Sequence, residues 1–365
     1  MNFRSIEPEE SMIVDYINGR KTQSHYGTAK YSHEISKRFP PGLINRIEYP
    51  LPIYSRYIDG FTRRYLYPHI VKIFQKTDHV HHITNQDLAF LLTRMELPRT
   101  VITCYDLIPW IYYKNRSPYW RRNIEGLCRA DRIITISEFS KDEIIKHTGI
   151  PAERIDVVYC GVDRDVFYPK RDKSPLREWG IHENQKVILY VGSEEPRKNL
   201  ETLVEAIAHV CQEIPDIVLL KVGSPGMGGD RKKTLALVKT HHLEDNVFFT
   251  GDVSEYLLAK YYNAADIFVF PSLYEGFGLP IIEAMACGCP VIASNTSSIP
   301  EVVGDAAILV NSINPEEIAK AALEILTQEE KRMEVVKKGL SRVSQFDWDA
   351  AAKKTIRIYE SMGTS

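Results

Sequence analysis

Residues 266–283 read DIFVFPSLYEGFGLPIIE. The run 266–271 is apolar without alternation, as in a parallel strand buried on both faces. Gly276 and Gly278 permit a tight turn after it, and Pro280 suits the first turn of a helix. This strand–turn–helix order leaves the amides of Phe277, Gly278 and Leu279 at a helix N-terminus, a ready site for an anion such as phosphate. Glu275 sits in the turn, and Glu283 follows eight residues later. Carboxylates beside a phosphate make electrostatic sense where they accept hydrogen bonds from neutral donors such as sugar hydroxyls. For the pair alone, a capped helix with two solvated glutamates is the plainer reading.

The same order occurs upstream. Residues 190–199, YVGSEEPRKN, also follow a strand and open a helix. Arg197 and Lys198 then stand at the sheet edge that carries Glu275. The helix dipole disfavours cations in a first turn. Their presence there points to an anion: fixed cations neutralise a diphosphate, and more strongly as it departs.

Working outward, β-rich runs alternate with helical patterns along nearly the whole chain. Strands are predicted at 12–17, 44–49, 80–84, 100–106, 132–137 and 154–159. After a polar stretch at 163–184 they resume at 186–191, 217–222, 246–250, 266–271, 290–294 and 306–310. Between them, Leu200, Leu203, Val204, Ile207 and Cys211 recur at helical spacing and predict one apolar face within 199–214. Asn314, Pro315 and Glu317 predict a capping-box-like helix start. Such alternation implies right-handed crossovers and parallel sheets. The expected fold is α/β, with two doubly wound Rossmann-like domains facing a central cleft. The first spans 1–165 and the second 180–345. A helical tail at 346–365 is expected to cross back to the first. Ligands on such sheets bind beyond the carboxyl ends of the strands.

Composition agrees with a globular chain: 365 residues, 44% hydrophobic and 26% charged, enough for about two domains. No apolar run approaches the roughly 18 residues of a spanning helix. Glu7, Glu9 and Glu10 stand where a signal peptide needs a basic and then an apolar stretch, so a cytoplasmic chain is expected. Its six cysteines include no CxxC pair and read as reduced, mostly buried thiols. The net charge of −2 hides an asymmetry. Residues 1–170 hold 25 Lys+Arg against 20 Asp+Glu, and the remainder 21 against 28.

The chain resembles the retaining glycosyltransferases of family 4, the group 1 transferases, which have the GT-B architecture. The resemblance runs from Met12 to Tyr359. It is carried by Glu275…Glu283 in EGFGLPIIE, by the VGSEEPRKNL segment, by TISEFSK at 135–141 and by VYCGVD at 158–163. It implies that Arg197 and Lys198 hold a donor diphosphate, that Glu275 contacts the donor sugar and that Glu283 binds the nucleotide ribose. The amides of Gly278 and Leu279 complete the phosphate cradle, and Glu301 lies in a segment that faces the same cleft. The segment 24–29, SHYGTA, resembles the family's glycine loop with Gly27 alone in place of two glycines; an ordinary strand–helix turn is the other reading.

The segment 104–109, CYDLIP, resembles the family's His-Asp-Leu element with Tyr105 in the histidine's place. A phenol is a poor base near neutral pH. The leaving phosphate oxygen can take the acceptor's proton itself, which leaves Asp106 a positioning role. His82 matches a family pattern near the sugar, and a buried, satisfied histidine is the alternative. Ser137 is placed in the same vicinity.

These readings imply a hexosyltransferase moving a mannosyl or glucosyl group from a GDP or UDP sugar to a glycan, lipid-linked or polysaccharide acceptor. Domain closure would assemble the cleft and exclude water. Neither a metal nor a cofactor is expected, since cations and helix amides serve the diphosphate. A non-catalytic sugar-nucleotide-binding subunit, motivated by Tyr105 and the single Gly27, and a nucleotide-sugar epimerase on the same fold are the alternatives. Basic residues interleaved with aromatics at 54–76 and 112–122 imply peripheral contact with an anionic membrane surface, on the inner face of the cell membrane. A snorkelling helix face and a surface loop would look the same. No nucleic-acid module is present. The run 223–229, GSPGMGG, lacks the dinucleotide order and reads as a mobile loop.

Overall fold

The computed structural model describes residues 12–20, 27–49, 62–226 and 230–363. They form two compact units. One holds the described residues up to Cys160 together with those from Trp348 onward; the other is Gly161–Asp347.

In the first unit six short strands lie parallel: β1 (Val14–Arg20), β2 (Ile44–Tyr49), β3 (Val80–Ile83), β4 (Thr100–Thr103), β5 (Arg132–Thr135) and β6 (Ile155–Val157), in the order β2-β1-β3-β4-β5-β6. The chain leaves β1 toward β2 on one side and returns through β3 on the other. The topological switch point therefore lies between β1 and β3, where such folds bind ligands. Helices α1 (Thr28–Ser36), α2 (Tyr67–Phe74), α3 (Ile108–Ile111), α4 (Pro118–Arg129) and α5 (Glu138–Thr148) connect them, with a 3-10 helix at Gln86–Thr93. At Gly126 of α4 an added Cβ would stand 1.9 Å from the Ala89 carbonyl oxygen. Glycine is what lets α4 cross the 3-10 helix at that distance.

In the second unit the strands are β7 (Val187–Val191), β8 (Val218–Val222), β9 (Val247–Gly251), β10 (Ile267–Phe270), β11 (Val291–Ser294) and β12 (Ile308–Val310), in the order β12-β11-β10-β7-β8-β9. Its switch point lies between β7 and β10, which pair through Ile267 with Ile188 and Phe268 with Leu189. The helices are α6 (Leu200–Val210), α7 (Arg231–Thr240), α8 (Glu255–Ala264), α9 (Leu279–Ala286), α10 (Ile299–Val303), α11 (Pro315–Thr327) and α12 (Glu329–Arg342). Leu200, Leu203, Val204 and Ile207 are buried as the helical spacing requires, against Ile188, Leu219 and Ile292.

Two local readings are corrected. Arg197 and Lys198 do not open the helix. They form a separate 3-10 turn, and Asn199, in the left-handed conformation at φ 57°, divides it from α6. Asn314 caps α11 by accepting from the amides of Glu316 and Glu317, but Glu317 reaches the amide of Asn311 at 3.0 Å rather than that of the cap.

The last helix, α13 (Trp348–Glu360), belongs to the first unit. Trp348 packs edge-on against Tyr31 of α1, and Asp349 pairs with Arg38 at 2.6 Å. Among the described residues no helix is long and apolar enough to cross a membrane.

Candidate active site

The switch point of the second unit brings three loops together. After β7, the turn Pro196–Lys198 presents Arg197 and Lys198. After β10, the turn 271–278 presents Glu275. After β11, Ser297 and Ser298 cap that turn: the Glu275 amide donates to Ser297 Oγ at 3.0 Å, and Ser298 Oγ donates to the carbonyls of Glu275 and Phe277. A backbone bond from the Leu273 amide to the Arg197 carbonyl, 2.7 Å, joins the first two loops.

Lys198 Nζ lies 2.6 Å and Arg197 Nη1 3.2 Å from the same oxygen, Oε1 of Glu275. Arg197 is also held by Glu195 at 3.1 Å. Lys198 sits 5.2 Å from the Phe270 ring centroid, a favourable place for an ammonium ion. Glu275 is buried. Burial opposes its ionisation, yet Lys198 and Arg197 outweigh that and hold its carboxyl below the usual range. The carboxylate stays charged and accepts hydrogen bonds.

Gly278 caps α9 at φ 108°, a conformation that favours glycine. Pro280 lies in the helix's first turn and lacks a donor of its own. Phe277 turns its ring into the interior, edge-on to Phe346 at 5.6 Å, so its backbone rather than its side chain is what it can offer a ligand. Glu283 is buried on α9 and accepts from Tyr262 at 3.3 Å. Glu301, on the short α10, is half-buried, and its carbonyl accepts from Arg342 at 2.6 Å. Thus Arg197, Lys198, Glu275 and the Gly278–Leu279 helix start form one cluster at the β7/β10 edge.

The first unit's candidates lie at the carboxyl ends of β1, β3, β4 and β5. Gly27 stands just before α1 with φ 63°, a conformation that favours glycine, and among the described residues no atom lies within 4 Å of where a Cβ would stand. Residues 24–26 of that segment, and 227–229 of the second glycine run, lie outside the described residues. Asp106 is half-buried and accepts from the Ile108 amide at 2.9 Å. Ser137 caps α5 by accepting from the Ser140 amide at 3.0 Å.

Tyr105 is buried, and its hydroxyl donates to backbone carbonyls, Thr28 at 3.2 Å and Thr84 at 3.0 Å. His82 is buried with both ring nitrogens engaged, by Tyr359 at 2.5 Å and Thr103 at 2.8 Å. Burial pushes its pKa down to about 3, so the ring is neutral. The satisfied core histidine is the reading that fits.

Several contributors were not singled out from the sequence. Asn199 Nδ2 donates to the carbonyls of Pro271 and Ser312, tying the Arg197–Lys198 turn to the Glu275 loop. Its place between a basic pair and an apolar helix was the available signal. Beside the same turn, Glu194 is buried against Lys221 at 2.9 Å and Arg231 at 2.5 Å. Nothing local in the sequence links those three residues.

Two family models cover this chain: "Glycosyltransferase Family 4" over residues 18–166 and "Glycosyl transferases group 1" over residues 173–342. O-antigen chain mannosyltransferase B of Escherichia coli is 34% identical over 291 residues, which is 78% of this chain and 74% of that protein. The chain belongs to glycosyltransferase family 4. This glycosyltransferase is also 30% identical over 272 residues to the serotype-specific mannosyltransferase WbdA of Escherichia coli, 71% of its own length and 33% of that relative. In fold it matches sucrose-phosphate synthase from Thermosynechococcus elongatus, with a TM-score of 0.79 at 24% identity over 96% of this chain and 99% of that one. HepE from Anabaena, solved in complex with UDP and glucose, gives a TM-score of 0.80 at 20% identity over 96% and 100%. The glycosyltransferase thus has the GT-B fold, in two parallel six-stranded sheets.

Proposed function

We propose that this glycosyltransferase moves a hexosyl group, mannosyl before glucosyl, from a GDP or UDP sugar to a hydroxyl of a glycan, lipid-linked or polysaccharide acceptor, with retention at the anomeric carbon and without a metal. One observation carries the reading: Lys198 and Arg197 converge on one oxygen of Glu275, beside the start of α9. Two fixed cations and a helix N-terminus suit a diphosphate leaving group. A charged carboxylate among them suits the neutral hydroxyls of the sugar. Mannose is put first because two relatives are named mannosyltransferases.

In the proposed step the bond from the anomeric carbon to the diphosphate oxygen breaks as the acceptor oxygen bonds the same face of that carbon. The departing phosphate oxygen takes the acceptor's proton. Arg197 and Lys198 stabilise the charge that develops on the diphosphate, Glu275 orients the sugar, and Glu283 takes the ribose. With its hydroxyl on backbone carbonyls, Tyr105 is not assigned to the sugar.

A thermal-shift screen of GDP, UDP and their sugars, followed by transfer assays with a chelator present, tests this. Transfer with a retained anomer is expected. Activity lost with chelator and restored by Mn²⁺ would refute metal independence. Sugar-nucleotide binding without transfer or hydrolysis would favour a binding subunit, and an isomerised sugar nucleotide without acceptor an epimerase.

For the acceptor side we infer contact with an anionic lipid surface through α2. Ile73 and Phe74 are 74% and 60% exposed, beside exposed His69, Lys72 and Lys76. Apolar side chains flanked by cations suit a headgroup layer. The part of the first aromatic-basic stretch at 54–61 lies outside the described residues. In the second, Trp120 is buried and Tyr119 donates to the Asp87 carbonyl, so those two aromatics serve the protein interior.

A further inference from the structure

Tyr105 is positioned as a hub. Its hydroxyl meets the carbonyl of Thr28, the first residue of α1 after β1, and that of Thr84, which follows β3. These strands flank the switch point of the first unit. Its amide donates to Gln86 Oε1 at 3.2 Å, at the start of the 3-10 helix, and its carbonyl accepts from Ser140 Oγ at 3.2 Å, in the first turn of α5. Its ring packs edge-on against Tyr31, one turn into α1. One buried side chain and its backbone thus hold three helix starts at the carboxyl edge of the sheet. Burial keeps the phenol protonated, so it remains a donor.

We propose that Tyr105 is a positioning residue for transfer. Its hydroxyl bridges the backbone on both sides of the β1/β3 switch point and thereby sets the Gly27 turn, without touching substrate. The inference rests on the proposed function together with the place of the Gly27 turn, which follows β1 at the β1/β3 switch point where such sheets bind ligands. Removing the hydroxyl takes away the one proton that the carbonyls of Thr28 and Thr84 share. The turn can then shift, and small misplacements lower the rate of an oriented reaction.

The test compares Y105F with Y31F in the full chain. Tyr31 also donates its hydroxyl to a backbone carbonyl, that of Val158 at 3.3 Å, which follows β6 rather than β1 or β3. Kinetic constants are referred to the folded fraction, titrated with nucleoside diphosphate. Y105F is expected to lower kcat about three- to tenfold while nucleoside diphosphate affinity stays at the wild-type value. Y31F is expected to lower Tm but keep kcat. Wild-type kcat in folded Y105F, or an equal fall in Y31F, would overturn the inference and reduce Tyr105 to a core residue. Should Y105F not fold, S140A, which removes the donor to the Tyr105 carbonyl, is expected to lower kcat in the same way by a smaller factor; unchanged kcat would overturn it. A wild-type chain that neither transfers nor hydrolyses any sugar nucleotide overturns the proposed function, and the inference falls with it. An active wild type with an unaffected Y105F overturns the inference alone.

Discussion

Lys198 Nζ is 2.6 Å from Glu275 Oε1, across 77 residues of chain. The arrangement makes Glu275 an internal counter-ion for the cations assigned to the diphosphate. Both side chains are mostly buried, at 14% and 10% exposure, so the pair is poorly screened and each partner shapes the other's charge.

Glu275→Gln therefore has opposite effects on binding and on transfer. Without the internal anion, free nucleoside diphosphate should bind tighter, on the order of tenfold. Transfer should fall about a hundredfold or more, because the sugar loses its charged acceptor. Calorimetry and initial rates on one preparation check both. Weaker nucleotide binding with undiminished transfer would remove the assignment.

Glu275 also carries a pH signature. Its carboxyl is held below the ordinary value of 4.5, so the unfolded chain binds the proton more readily. The stability it contributes is fully present above that value and is lost as pH falls through the lower, folded one. Acid melts of wild type should show this loss, and Glu275→Gln should lack it.

His82 acts in the same direction but in a different window. The ring is neutral in the fold down to about 3, against an ordinary 6.5. Above 6.5 both states are neutral. As pH falls from 6.5 toward 3 only the unfolded chain takes up the proton, which costs about 1.4 kcal/mol per pH unit. His82→Gln should flatten that slope in urea titrations across pH 4 to 6, while kcat at neutral pH in the folded fraction stays unchanged.

Gly126→Ala addresses packing alone. The new methyl would meet the Ala89 carbonyl, so α4 must move off the 3-10 helix, at about 1–3 kcal/mol. Chemical denaturation measures the loss. Rates per folded molecule should equal the wild type's.

The α2 surface is tested by the double variant I73S/F74S. Sedimentation with vesicles rich in anionic lipid should capture the wild type and leave the variant in solution. Transfer to a soluble acceptor should be equal in both. Equal capture of the two proteins would sink the membrane reading of α2.

Much of this protein was legible locally. Twelve expected strands coincide in place with β1–β12, most of them trimmed at an end while β1 runs on to Arg20 and β9 to Gly251, because a strand buried on both faces must be apolar throughout. The apolar face of α6 followed from helical spacing, and Glu275 stood out because two glycines and a proline surround it in a way that only a strand–turn–helix junction explains. The charge difference between halves pointed to a division of labour but named no residue.

What only the tertiary structure decided depends on which strands become neighbours. β7 and β10 are distant in sequence and adjacent in the sheet, and that adjacency alone places Lys198 on Glu275. Asn199 takes a left-handed conformation because its side chain bridges Pro271 and Ser312, partners that no local pattern names. His82 finds Tyr359 across 277 residues because α13 lies on the first unit, a partner that its local pattern does not name. The Tyr105 hydroxyl likewise meets the carbonyls of Thr28, at the start of α1, and Thr84, after β3, which no local pattern names. Periodicity and turn chemistry are short-range properties written along the chain. Hydrogen-bond partners of buried polar groups are fixed by packing between distant segments, and so appear only when the sheets are assembled.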